Sequence, residues 1–139
     1  MIATTLELTV ATEGNSDAHD LTARIEKIVS EAGLLEGLAT VFVPGSTASL
    51  TTIEFESGAV ADLHEAVRRL VPENQPYRHD ARWGDGNGFA HVRAAVLGPS
   101  LTVPVSGGKL QLGTWQQIVL LDHDNRPRRR KVLVQLLGA

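Results

Sequence analysis

Two histidines and several acidic and amide side chains surround a glycine-rich segment, YRHDARWGDGNGFAH, in the middle of the chain. His79 and His91 are twelve positions apart, and Asp80, Asp85 and Asn87 lie between them. Two imidazoles and a carboxylate are a common ligand set for zinc, manganese or iron, and they leave positions open for water or substrate. The spacing therefore allows a metal site on His79 and His91. The alternative is that both are hydrogen-bonded structural histidines at a strand edge.

A small polar turn, residues 44–48, separates two segments that should be core strands. Ser46 and Thr47 offer hydroxyl donors, and the small residues beside them leave several backbone N–H groups unblocked, which suits an oxyanion. The alternative is a plain turn whose hydroxyls satisfy their own backbone. Glu54 follows on the second strand, where it alternates with apolar neighbours, so that a solvated carboxylate is its ordinary interpretation.

A basic run, residues 126–131, leads into the last strand. Period-two alternation puts Arg128 and Arg130 on the same face as the apolar residues that follow. Two guanidinium groups on one face make a forked receptor for phosphate or carboxylate. The alternative is a solvated hairpin end that offsets Asp122 and Asp124.

The segment Thr114, Trp115 and Gln116 lies at the start of another expected strand. A tryptophan beside a hydroxyl and an amide can form a wall for a flat ring while its neighbours hydrogen-bond that ring. A tryptophan that only packs against the protein is the alternative.

Hydrophobic periodicity predicts an α+β domain with two main helices and about seven strands, mainly antiparallel, in a twisted sheet or sandwich. The first helix is expected to be capped by Ser16 or Asp17 and to end at Gly33. The second spans residues 59–70 and is stopped by Pro72. Strands are expected over residues 4–12, 38–43, 50–55, 91–97, 101–105, 109–112, 115–121 and 128–137.

Composition limits the classes of protein. The 139 residues predict a single domain, and the formal net charge of −3 argues against a general nucleic-acid coat. The absence of cysteine excludes disulfides and thiolate zinc sites. No basic leader and no apolar run long enough for a membrane span are present, so the expected location is cytoplasmic and no membrane partner is expected.

Four segments together resemble the YjbQ-like family, whose members are often labelled secondary thiamine-phosphate synthases: VFVPGSTASLTTIE, YRHDARWGDGNGFAHVRAAVLGPSLTVPV, GKLQLGTWQQIVLLD and RPRRRKVLVQLLG. The resemblance covers nearly the whole chain. It implies a YjbQ-like fold over residues 1–139 and a compact homotrimer. It also implies weak thiamine-phosphate synthase activity, in which hydroxymethylpyrimidine diphosphate is joined to thiazole phosphate and pyrophosphate is released.

The resemblance also implies a polar site, and we expect its histidines, turn, Glu54 and arginines to converge on one pocket. The expected catalytic residues are His79, His91, Glu54 and Asn87, and the expected substrate-binding residues are Ser46, Thr47, Thr114, Trp115, Gln116, Arg128 and Arg130. Mg²⁺ or a transition metal such as Zn²⁺ would assist, without an organic cofactor. Two alternatives stay open, namely a non-enzymatic trimer that binds a small anionic metabolite or metal, and a metal-dependent hydrolase.

The chain departs from the family pattern at two positions. Many members carry histidine where this chain has Gly45, and some carry histidine where it has Phe89. If either histidine is a ligand or a base, this protein lacks it.

Overall fold

A computed structural model describes residues 1–139 and shows eight strands and four helices. In chain order they are β1 (Ile2–Thr12), β2 (Asp17–Asp20), α1 (Thr22–Ala32), β3 (Gly37–Phe42), β4 (Ala48–Ile53), α2 (Ser57–Leu70), α3 (Arg78–Trp83), α4 (Gly88–Leu97), β5 (Ser100–Ser106), β6 (Lys109–Leu110), β7 (Gln117–Asp122) and β8 (Arg128–Gly138). The expected α+β class with mainly antiparallel strands is confirmed.

The strands form two antiparallel sheets. The larger has the order β1-β8-β3-β5-β6, and the smaller has the order β2-β7-β4. Strands β1 and β8 pair along their whole length, from Ile2 opposite Gly138 to Thr12 opposite Arg128. Side chains alternate between faces along β8, so Arg128 and Arg130 share the inward face with the buried residues that follow them, as the sequence predicts.

One aliphatic core fills the space between the two sheets and α1. Helix α1 contributes Ile25 and Val29, which are fully buried, and the smaller sheet contributes Leu50 and Leu120. Gly33, in the left-handed conformation with φ 70°, ends α1 as predicted. The helices α2, α3 and α4 follow β4 in the chain, and α4 packs on β4 outside this core.

The expected strand over residues 91–97 is wrong, because these residues belong to α4. Phe89, Ala90, Arg93 and Ala94 are buried on one face, which is helical spacing. The short apolar run of residues 89–97, between Gly88 and Gly98, has no clear hydrophobic period, and its alanines favour a helix.

The expected start of the first helix is also wrong. Ser16 has φ 66° and turns its side chain inward, β2 follows, and α1 begins only at Thr22. The short helix α3 lies in a segment that the sequence pattern assigned to a glycine-rich loop. None of the four helices has the length and apolar character needed to cross a bilayer.

Candidate functional site

The structure brings the two histidines of the glycine-rich segment together. His79 lies on α3 and His91 on α4, and their ring centroids are 4.4 Å apart. The two short helices meet at Gly88, where an added Cβ would lie 2.6 Å from the Cβ of Tyr77 and 3.0 Å from Oδ1 of Asp80. Glycine is therefore required here for α3 and α4 to approach so closely.

Two aspartates complete a cluster around His79. Its Nδ1 lies 3.2 Å from Oδ1 of Asp80 and 3.3 Å from Oδ1 of Asp85. One potential ligand atom from each of the three residues lies within 4.8 Å of the others. Two atoms bound about 2.1 Å from one ion at a tetrahedral angle are about 3.4 Å apart, so the two nitrogen–oxygen distances fit a shared divalent ion.

Backbone groups orient both carboxylates of this cluster. Oδ1 of Asp80 accepts a hydrogen bond from the N–H of Gly88 at 2.8 Å, and Oδ1 of Asp85 accepts one from the N–H of Asn87 at 3.1 Å. Such bonds fix the directions in which ligand oxygens point. The chain therefore presents a prearranged set of one nitrogen and two carboxylate donors.

The polar turn and His91 share a cleft of about 240 Å³. Gly45, Ser46 and Ala48 line one side of it, and His91 with Ala94 and Ala95 of α4 lines the other. The sequence-predicted turn thus lies next to the histidine pair. Phe89, by contrast, is buried against Val71 and Ala90, away from solvent.

Arg130 is held by the chain's own carboxylate. Its Nε donates to Oδ2 of Asp122 at 2.7 Å, and its Nη2 donates to Oδ1 of Asp122 at 3.0 Å and to the hydroxyl of Thr47 at 2.5 Å. The side chain of Arg130 is 11% exposed and that of Asp122 is 0% exposed. Arg130 is therefore neither a free fork for phosphate nor a solvated hairpin residue. Of the three guanidinium nitrogens only Nη1, which faces Gly45, is free to bind a ligand.

The charges of this pair stabilise each other. Burial alone would raise the pKa of Asp122, but hydrogen bonds from Arg130 and Thr12 outweigh it and hold that pKa below its usual value. Burial likewise disfavours the charged form of Arg130, yet the bond to Asp122 leaves its pKa raised. Both groups are charged at neutral pH, and the pair joins the ends of β7 and β8 across the two sheets.

A second ion pair anchors the neighbouring loop. Nε of Arg128 donates to Oδ2 of the fully buried Asp124 at 3.0 Å, and the hydroxyl of Thr47 donates to the same oxygen at 2.9 Å. The buried Asn87 accepts a hydrogen bond from the N–H of Asn125 through its Oδ1 at 3.1 Å. The expected residues Thr47 and Arg128 thus converge on an internal carboxylate, and Asn87 binds the backbone of the adjoining loop.

Four expected site residues lie at the opposite end of the smaller sheet. Strand β4 runs from Ala48 opposite Asp122 to Ile53 opposite Gln117, which separates the two ends by about 17 Å. Past that far end lie Glu54, Thr114, Trp115 and Gln116, all of them exposed. Within one chain the expectation of a single pocket is therefore wrong for these residues.

Trp115 is 73% exposed and precedes β7, whereas the sequence places it inside that strand. The side chain of Gln116 hydrogen-bonds its own loop at Gly113 and the hydroxyl of Thr52. These contacts hold the loop and leave the indole in solvent.

A buried histidine outside the expected site was missed by the sequence reasoning. His123 is fully buried, with Nδ1 2.7 Å from the hydroxyl of Ser16 and Nε2 2.8 Å from that of Ser49. Burial, together with the charge of Arg93, lowers its pKa to about 4, so the ring is neutral at pH 7. The available signal was that His123 directly follows an apolar strand, β7, which is buried from Ile118 to Asp122.

Comparison with known proteins places these features in a family context. The model of the family described as UPF0047 protein YjbQ-like matches residues 6–139. A UPF0047 protein of Archaeoglobus fulgidus is 40% identical over 132 residues, which cover 95% of this chain and 100% of the relative. A UPF0047 protein of Mycobacterium tuberculosis is 47% identical over 95 residues, 68% of this chain and 71% of the relative.

Solved structures share the fold. A hypothetical protein of Aeropyrum pernix superposes with a TM-score of 0.90 at 35% identity, covering 98% of this chain and 99% of that one. A Sulfolobus solfataricus protein described as YbjQ-like and of unknown function has a TM-score of 0.90 at 28% identity, covering 99% and 100% of the two chains.

The thiamine-phosphate synthase activity implied by the resemblance is wrong. The matched relatives are named only as UPF0047 proteins, and a solved neighbour with the same fold is described as being of unknown function. The geometry agrees, because the arginine fork expected to hold a diphosphate is filled by Asp122.

Proposed function

The chain belongs to the YjbQ-like UPF0047 family, and we propose that it binds a divalent transition-metal ion such as Zn²⁺ on His79, Asp80 and Asp85. The observation that carries this proposal is the position of Nδ1 of His79, which lies at nearly equal distances from the two carboxylates. The one hydrogen that Nδ1 can carry serves a single carboxylate, that of Asp80 at 3.2 Å, and leaves Oδ1 of Asp85 at 3.3 Å without a hydrogen bond from the ring. A cation between the three groups satisfies the nitrogen lone pair and both carboxylates together.

The type and exposure of the donors support this assignment. Imidazole nitrogen and carboxylate oxygen suit zinc, manganese and iron, and a chain without cysteine offers no thiolate that would compete for the ion. The side chains of His79 and Asp80 are 28% and 27% exposed, and that of Asp85 is 48% exposed, so an ion has access from solvent. A bound ion would keep a position open for water or for an oxygen atom of a small molecule.

His91 gives the proposed metal group a neighbour in the adjoining cleft. Its ring contacts that of His79 and also lines the cleft beside Ser46. We propose that His91 either completes the ligand set or contacts a molecule held in that cleft. Loss of zinc affinity in a His91→Ala protein distinguishes the first role from the second.

Calorimetric titration of Zn²⁺ into chelator-treated protein tests the proposal. We expect one saturable site, and at least about tenfold weaker binding in Asp80→Asn and Asp85→Asn, which keep the side-chain shape but lose a charged ligand. Asp62→Asn is the matched control, since Asp62 is exposed on α2 and should not affect affinity. Equal affinities for all four proteins, or no saturation, would overturn the proposal.

We also propose that the chain assembles as a homotrimer, as the resemblance implies. The outer face of the larger sheet supports this, because Leu38, Phe42 and Leu137 are 44%, 40% and 49% exposed there. Leu38 lies directly opposite Leu137 in the pairing of β3 with β8, so these two apolar side chains are neighbours, and Phe42 lies further along the same face of β3. Covering such a face is a common reason for small domains to associate. The cytoplasmic location stays a prediction.

A further inference from the structure

A second cleft, on another face of α4, contains a buried arginine that belongs to neither the histidine cluster nor the cleft beside His91. Arg93 follows His91 by two positions, which turns it about 200° around the helix axis. The cleft has a volume of about 270 Å³ and is lined by Arg68, Pro72, Glu73, Asn74 and Arg93. It is therefore separate from the cleft beside His91.

The guanidinium of Arg93 is held in place before any ligand arrives. Its Nε donates to the carbonyl of Val71 at 3.0 Å, and its Nη1 donates to the hydroxyl of Ser16 at 3.3 Å. The group also lies over the ring of Phe89, 4.7 Å from its centroid. The side chain is 1% exposed, and Nη2 has no hydrogen-bond partner.

The charge of Arg93 is only partly neutralised. Its nearest acid is Glu73, whose Oε1 lies 3.7 Å from Nη1 and whose side chain is 47% exposed. Burial lowers the pKa of Arg93, Glu73 offsets part of that effect, and the charge of Arg68 lowers the pKa further. His123, which contacts the same Ser16, is uncharged at pH 7 and does not change this balance. A buried cation with one free donor and a second cation beside it favours an anion.

We propose that this cleft binds a small oxyanion, either free phosphate or the phosphate group of a metabolite, between Arg68 and Arg93. Arg93 supplies a fixed, desolvated cation, and such groups form the stronger charge-assisted hydrogen bonds. Arg68 supplies a solvent-exposed one, since its side chain is 60% exposed and its nearest acid, Glu65, is 3.9 Å away. The amide of Asn74 is a further donor at the rim. Glu73 opposes the anion and lowers its affinity.

A matched pair of neighbouring arginines makes the test specific. Arg69 lies next to Arg68 on α2, is 75% exposed and does not line the cleft. Substituting either one by glutamine removes the same charge from the same helix. A difference between the two proteins therefore reports the cleft and not the net charge of the surface.

The experiment is calorimetric titration of inorganic phosphate, and separately of glycerol phosphate, into chelator-treated protein at low ionic strength. We expect one saturable site, about fivefold weaker in Arg68→Gln, unchanged in Arg69→Gln and about threefold tighter in Glu73→Gln. This pattern with both probes indicates a site for phosphate groups of metabolites, and the pattern with inorganic phosphate alone indicates a site for the free anion.

Two results would overturn the proposal. One is the absence of saturable binding of either probe at millimolar concentration in the unmodified protein. The other is equal weakening by Arg68→Gln and Arg69→Gln. None of these three variants changes the buried Arg93, so a failure to fold is not expected to obscure the result. Neither result would bear on the zinc site, because the protein is metal-free throughout.

Discussion

His123 should make the protein less stable as the pH falls from neutral to mildly acidic values. Its pKa is about 4 in the folded chain and 6.5 when unperturbed. Below pH 6.5 the unfolded chain therefore binds a proton that the folded chain excludes. The free energy of unfolding must then decrease with falling pH until the folded-state pKa is reached, and this contribution is constant above and below that window.

The expected effect is large enough to measure. A difference of one pKa unit corresponds to about 1.4 kcal/mol, and pH 5 lies about 1.5 pH units below the unperturbed pKa of 6.5 and above the folded-state pKa of about 4. The loss between pH 7 and pH 5 is therefore about 2 kcal/mol. The lowered pKa values of Asp122 and Asp124 act at lower pH, because unfolded carboxylates take up protons mainly below about pH 4.

Urea unfolding at fixed protein concentration, repeated between pH 7 and pH 5 for the unmodified protein and for His123→Gln, measures this contribution. The variant loses two hydrogen bonds of the ring, to Ser16 and Ser49, or replaces them with weaker ones, and should be less stable at pH 7. Between pH 7 and pH 5 the free energy of unfolding of the variant should fall by about 2 kcal/mol less than that of the unmodified protein. Parallel curves for the two proteins would refute the reasoning.

Two further predictions follow from the ion pairs and from the apolar face. Arg130→Lys keeps the charge but loses the paired hydrogen bonds to the buried Asp122. Urea unfolding should therefore show a free energy of unfolding that is lower by about 1.5 to 3 kcal/mol. The control is Arg129→Lys at an exposed position, which should change the free energy of unfolding by less than about 0.5 kcal/mol. Equal stabilities for the two variants would contradict a stabilising role of the paired hydrogen bonds between Arg130 and Asp122. Light scattering should give a mass near three times 14.9 kDa at micromolar concentration. Phe42→Asp places a charge on the outer face of the larger sheet and should lower this mass. A mass of 14.9 kDa for the unmodified protein would exclude the trimer.

Much of the sheet was predictable because its pattern is local. Strands β1 and β8 bury one face each, so side chains alternate in and out along the sequence. The same alternation correctly placed Arg128 and Arg130 on the inward face. The approach of His79 to His91 was also expected, although the second histidine lies on a helix and not on a strand.

The partners of these residues were not predictable, because they depend on tertiary pairing. Two arginines two positions apart on one strand face can bind an external anion or a carboxylate of the protein itself. The packing of the two sheets decides between these, because it brings Asp122 against the guanidinium of Arg130. The register of β4 against β7 likewise sends Glu54 and Trp115 to the far end of the smaller sheet. Local periodicity contains no information on which strand ends meet.

The proposed zinc site can be tested most directly by crystallography of the 139-residue chain crystallised with Zn²⁺, with diffraction recorded on both sides of the zinc absorption edge. Our account predicts an anomalous peak about 2.0 to 2.2 Å from a ring nitrogen of His79 and from a carboxylate oxygen of Asp80 or Asp85. A map without a peak among these three residues, from crystals grown at a saturating zinc concentration, would contradict it.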